Sequence, residues 1–260
     1  MQTKEVFHVA AMPPSKPDEK LIREIAAISF QPDYQIRMSF AGPLPKIIAH
    51  FQTNEMATAA VKALGNAEVT AFPITETEIR KPGAIRFTAH ALQIEERHIE
   101  FRNRDGQSLS LKRSDIFLIV TGNQLGEGRV IENTKMKLNL PATLLTGGVP
   151  MMKRVTVTGR RQEGEVEQFV RLYNSLSDVP VVEIRQHDFD YSFLETRMVG
   201  TTAGNLQSTL GVLKEFFSGS FFNSIIGQRF SSTPKETTKT DPVEITCRLL
   251  YRYYLKISQS

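Results

Sequence analysis

The chain has 260 residues, 40% hydrophobic and 23% charged, with a formal net charge of +4; this composition supports ordinary cores, leaves room for two domains and argues against disorder. Its one cysteine, Cys247, excludes an intrachain disulfide and a Cys-rich metal site and favours a reducing compartment. The first twenty residues set Lys4, Glu5, Lys16, Asp18, Glu19 and Lys20 around a proline-rich run with no signal-peptide core. The apolar stretch Phe216–Gln228 is broken by Ser218, Gly219, Ser220 and Asn223 and falls short of the roughly 20 residues that span a bilayer, so a cytoplasmic protein is expected.

In chain order, Val6–Ala11 reads as a strand, stopped by Pro13, Pro14 and Pro17, with Ser15 as the expected cap of the helix that follows. Leu21, Ile22, Ile25 and Ile28 form its apolar stripe, and Asp18 and Glu19 suit its first turn. Lys46–Phe51 reads as a strand, Thr53 as the cap of a second helix ending at Gly65 and Asn66, and Glu68–Ile74 as a closing strand. Residues 32–44 admit two readings. Tyr34, Ile36, Met38 and Phe40 alternate as in a ferredoxin-like strand, while Asp33 could cap a helix with Tyr34, Met38 and Ala41 on one face. The order of these elements, with Asp33-Tyr34-Gln35-Ile36-Arg37-Met38 and Gly42-Pro43-Leu44-Pro45-Lys46 between them, resembles the β-α-α-β-α-β domain of the ribosomal stalk protein's C-terminal half. A bacterial protease adaptor shares that domain. The resemblance covers residues 5–75 and implies an interaction module. An RNA-recognition motif is also similar in phrasing, but His8, Lys46 and Ile48 would stand where its stacking aromatics belong, so nucleic acid is not the expected partner.

Lys81-Pro82-Gly83 reads as a linker closing a first domain over 1–80. In a second, 84–180, Ala84–Ile94, His98–Asn103, Gln107–Arg113 and Ile116–Thr121 read as a meander turning once at Asn103-Arg104-Asp105-Gly106. Arg154–Thr158 adds a strand, and Glu163–Leu176 reads as a closing helix with Val166, Phe169, Val170 and Tyr173 inward. That architecture is similar to pleckstrin-homology-like domains. Over 181–260, Val181–Arg185 reads as a strand and Asn205–Phe217 as a helix, with a Ser/Thr-rich loop at Ser231–Thr240. Asp241-Pro242-Val243-Glu244 then starts a terminal helix running to about Ile257. The fold class expected is α+β, with the last third packed on the middle.

Residues 83–180 carry fourteen basic against eleven acidic side chains, so an anionic partner would favour the middle. There Arg102, Arg104 and Lys112 should share the outer face of the hairpin, opposite Phe101, Leu109 and Leu111. Gly147 and Gly148, followed by Lys153 and Arg154, could cradle an anion or simply form a tight turn. The terminal helix sets Arg248, Arg252 and Lys256 four apart beside Leu249, Leu250, Tyr253, Tyr254 and Ile257. It would lie on an anionic membrane, pack on its own domain with the cations in water, or make an intermolecular helix contact. His187, Asp188 and Asp190 are the densest cluster of metal-ligand types, but need a further ligand from elsewhere, and His8, His50, His90 and His98 show no ligand spacing. Without a catalytic motif or cofactor signature, the primary expectation is a protein-binding module. Anionic-surface attachment comes second and a metal-dependent enzyme at His187–Asp190 third; no cofactor is expected.

Overall fold

A computed structural model describes residues 5–81, 87–125, 132–138, 152–158, 166–225 and 241–259. They form two compact units: Met1–Asn123 together with Gln168–Ser260, and Gln124–Glu167. The class is α+β.

The larger unit begins with β1 (Phe7–Ala11), α1 (Glu19–Ser29), α2 (Asp33–Ser39), β2 (Lys46–Phe51), α3 (Asn54–Asn66), β3 (Ala71–Thr75) and α4 (Glu76–Arg80). The sheet is antiparallel in the order β2-β1-β3. Residues 32–44 thus resolve to a helix. It starts after Pro32 rather than with Asp33 as its cap, since proline sets the extended entry and Asp33 serves the first turn. The cap of α1 is Asp18, not Ser15: its carboxylate accepts from the Leu21 N–H at 2.7 Å, placing the boundary next to the first apolar turn. Thr53 caps α3 as expected. Helix α4 was not anticipated; Thr75 and Glu78 form a reciprocal capping box at its start.

Next come β4 (Thr88–Ala89), β5 (Ala91–Ile94), β6 (His98–Arg102), β7 (Ser108–Lys112) and β8 (Leu118–Leu125). After the second unit follow β11 (Val166–Tyr173), β12 (Val182–Arg185), a 3-10 segment (Ser192–Arg197), α5 (Thr202–Phe216), β13 (Phe221–Ser224) and α6 (Pro242–Ser258). Strands from the expected middle and last thirds share one sheet, β13-β8-β11-β12-β4, beside a smaller sheet β5-β6-β7. The chain bends between them at His90, whose N–H donates to the Arg102 carbonyl at 2.7 Å while its carbonyl accepts from Asp190.

The expected closing helix over Glu163–Leu176 is instead the central strand β11. Phe169 and Tyr173 enter one core, while Val170 and Leu172 enter another on the opposite face. A strand buried on both sides loses its alternation, and its apolar residues mimic a helical stripe. In the second unit, β9 (Glu132–Leu138) pairs antiparallel with β10 (Met152–Thr158).

Helix α6 lies between the five-stranded sheet and the sheet β2-β1-β3. Val243, Cys247, Leu250 and Tyr251 pack with Leu118, Val120, Phe169 and Tyr173 of the five-stranded sheet. Ile245, Leu249 and Tyr253 pack with Ala10, Phe72 and Ile74 of the amino-terminal one and with Ile79 of α4. Between these two stripes stands Arg248, only 4% exposed. Its guanidinium donates to the carbonyls of Glu78 (2.5 Å), Ile79 (3.0 Å) and Lys81 (3.1 Å) and to Asp178 at 3.1 Å. Arg252 pairs with Glu78, and Lys256 reaches the Ala71 carbonyl. On the other side, buried Arg171 bridges Glu183 (2.6 Å) and Glu244 (2.7 Å) with Cys247 Sγ at 3.7 Å, and burial pushes that thiol up to about 11.

Two outcomes follow from this wedge. Arg248→Met strands three carbonyls and Asp178 and should cost about 3–5 kcal/mol in urea unfolding, whereas Arg252→Met, which removes a half-exposed pair, should cost about 1 kcal/mol or less. Cys247 should resist thiol reagents in the folded protein up to pH 9 and react at once in denaturant; rapid labelling of the native chain would contradict its burial.

Candidate functional site

At the end of α1 the chain reverses into α2 through Phe30, which lies at φ 54, ψ 37. Its N–H and that of Gln31 both return to the Ala26 carbonyl, closing the helix on a left-handed residue where glycine is usual. A bulky side chain there is an outlier, and this one is 79% exposed. Its ring stands edge-on to Phe51 at 6.3 Å, the last residue of β2. Tyr34 and Met38, 66% and 73% exposed, follow at i and i+4 on α2, whose opposite side buries Ile36. Arg37 pairs with Glu19 and ties α2 to α1. Residues 30–38 therefore hold three large apolar side chains in water on a braced corner. Such a surface can bury area against a partner.

The basic candidates are distributed differently from expectation. Hairpin alternation holds, with Phe101 and Leu111 buried and Arg102 and Lys112 exposed. Yet Arg102 pairs with Glu100 at 3.0 Å on the same face, and Arg104 pairs with Asp188, so the cationic ribbon is partly neutralised. Lys153 and Arg154 stand on β10 opposite Lys137 and Met136, while Gly147 and Gly148 lie outside the described residues. The terminal-helix cations are not a solvated row: Arg248 is internal, Arg252 pairs with Glu78, and Lys256 donates to the Ala71 carbonyl. The helix packs its apolar residues within the protein, as one expected placement has it, but its second apolar stripe draws Arg248 out of water into an internal seam.

Around His187 the acids already have partners within the protein. Asp188 accepts from Arg104 and lends its carbonyl to His90 Nδ1 at 2.6 Å. Asp190 accepts from the Ser192 N–H and hydroxyl at 2.9 and 3.1 Å, starting the 3-10 segment. His187 is exposed. Among the described residues no three His, Cys, Asp or Glu side chains gather as a metal would require, and no helix is long and apolar enough to cross a membrane.

One cluster escaped the sequence reading. His8 and His50 face each other across β1 and β2 with their Nδ1 atoms 2.6 Å apart, and His8 Nε2 lies 2.6 Å from Glu76 Oε2. Glu76 also pairs with Arg80. Burial, then neighbouring His8, holds His50 below the ordinary histidine value. Burial works against the Glu76 charge, but hydrogen bonds from Arg80 and His8 prevail and lower its pKa. Only the strand register brings these groups together.

Comparison of the chain with protein-family models, with curated proteins and with solved structures finds no match.

If Phe30 is retained for its exposed ring and not for the turn, Phe30→Gly should stabilise the protein. Relief of the left-handed backbone is expected to raise unfolding stability by roughly 1 kcal/mol, read as a higher urea midpoint at unchanged slope; a lower midpoint would make Phe30 a structural residue.

Proposed function

We propose that the chain is a non-enzymatic protein-binding module or adaptor, and that it docks its partner on the corner formed by Phe30, Tyr34 and Met38. The observation that carries this reading is Phe30 itself, a bulky aromatic in a left-handed backbone conformation with most of its surface in water. A local backbone cost at a side chain whose one ring contact, with Phe51, leaves it 79% exposed points to use by another molecule. The β-α-α-β-α-β order of residues 7–75, whose resemblance to the ribosomal stalk domain implies an interaction module, supports the same reading. So does the engagement of Arg248, Arg252 and Lys256 inside the protein, which leaves an anionic membrane less to attract. A cytoplasmic setting suits the single reduced, buried cysteine.

The test is co-purification from the source cell with the tagged wild-type chain and with a Phe30→Gly, Tyr34→Ser, Met38→Ser variant. A stoichiometric protein should remain bound to the wild type in 0.5 M salt and be lost from the variant, whose melting temperature should not fall. Retention of the same partner by the variant, or release of the wild-type partner by salt alone, would move the interface away from this corner.

A further inference from the structure

We propose that His8, His50 and Glu76 form a proton-sensitive latch on the amino-terminal sheet, closed while the imidazole pair holds at most one proton and released at the β1–β2 end by a second. The geometry carries the idea. His8 is 5% exposed and its two ring nitrogens have separate partners, Glu76 on one side and His50 on the other. With the pair neutral, His8 Nε2–H donates to Glu76 and His50 Nδ1–H donates to the bare His8 Nδ1. With one proton added, His8 donates in both directions and His50 Nδ1 becomes the acceptor. Both states satisfy every facing nitrogen. With two protons, two N–H groups point at each other across 2.6 Å, and two positive charges oppose one another in a partly dry site. The pair must then separate.

The surrounding charges fix where that strain goes. Glu5, ahead of β1, accepts from the Thr77 N–H and hydroxyl at the start of α4. Arg80 pairs with Glu76. From α6, packed on the same sheet face, Arg252 is paired with Glu78 and Lys256 with the Ala71 carbonyl. Glu76 is therefore anchored by both Arg80 and His8, and His8 lies in the central strand between β2 and β3. His50 is the exposed member on edge strand β2. The bulge between Val9 and Ala10 leaves Phe7 with Phe51, His8 with His50 and Val9 with Ala49 as the pairs on its outer side. This short end of the ladder is what a second proton would open.

The sign follows from proton counting. An unfolded chain protonates both imidazoles as pH falls through about 6.5, while the folded latch refuses one of them. The unfolded state then binds more protons, so folding stability is full above about pH 6.5 and is lost as pH falls below it.

The experiment compares the full-length wild type with His50→Gln, which keeps a hydrogen-bonding group opposite His8 but cannot be charged. Thermal unfolding and amide exchange, corrected for intrinsic rates, are followed from pH 7.5 to 5.5. The folding equilibrium of the wild type should weaken relative to His50→Gln by up to about tenfold per pH unit below 6.5, a melting shift of about 2–4 °C, with lost protection centred on residues 7–9 and 49–51. His90, His98 and His187 are common to both chains and drop out of the difference. Parallel pH profiles for the two proteins, or acid-dependent exchange elsewhere but not at these strand ends, would overturn the proposal. The readout is folding and not partner capture, so it stands or falls apart from the role proposed for Phe30, Tyr34 and Met38.

Discussion

Arg248 is an arginine almost without water, held by three carbonyls and a carboxylate that come from both sides of α6. Its position explains the helix. A surface helix needs one apolar stripe, whereas α6 has two, Val243, Cys247 and Leu250 toward one sheet and Ile245, Leu249 and Tyr253 toward the other. A cation in the seam between them would be intolerable without partners. The carbonyls of Glu78, Ile79 and Lys81, at α4 and its exit, supply them, and Asp178 supplies the counter-charge. The amino-terminal sheet gains its second covering layer from this helix. Residues near the start of the chain are thus completed by residues near its end, a non-local arrangement that makes folding wait on long-range closure.

Local signals were legible where they depend on a few neighbouring residues. Thr53 and Asp241-Pro242 mark the starts of α3 and α6, and Lys46–Phe51 is a strand with the expected bounds. Signals that depend on burial from two sides were not. The run Val166–Tyr173 fits a helical stripe as well as a strand, and its setting between β8 and β12 decides the matter. The same limit hid the second stripe of α6. Helix α4 carries a readable sign, Thr75 three residues before Glu78, but its five residues are too few to show a periodic stripe. The seven residues of α2 were too few for periodicity to separate helix from strand, and Pro32 just before it settles the entry.

The candidate sites show a related asymmetry. Charge can be counted in a sequence, but its availability cannot: Arg104 meets an acid 84 residues away and Arg252 one 174 residues away. Tyr34 and Met38 could be placed on one face of a helix from spacing alone, yet nothing in spacing says whether that face is covered. Phe30 carries its meaning in a backbone angle. The histidines needed the strand register, since His8 and His50 are 42 residues apart and a shift of one residue would turn one of them to the other face.

Strand β2 joins the exposed corner at Phe30 to the imidazole pair. Successive side chains on a strand face opposite ways. Phe51 enters the helix-side core and meets Phe30, while its neighbour His50 meets His8 on the side where α6 lies. Beyond Ala49 the bulge takes effect. Val9 pairs with Ala49 but Ala10 pairs with Ile47, so Ile48 is the extra residue and joins Ala49 in the helix-side core. Ile47 is then free to pack with Leu249 and Tyr253 of α6. Strict alternation would put Ile48 on the histidine side and Ile47 on the helix side. The irregularity therefore lets one short edge strand serve the helix-side core, the imidazole pair and the α6 contact together. Any change that removes the bulge must give up at least one of them.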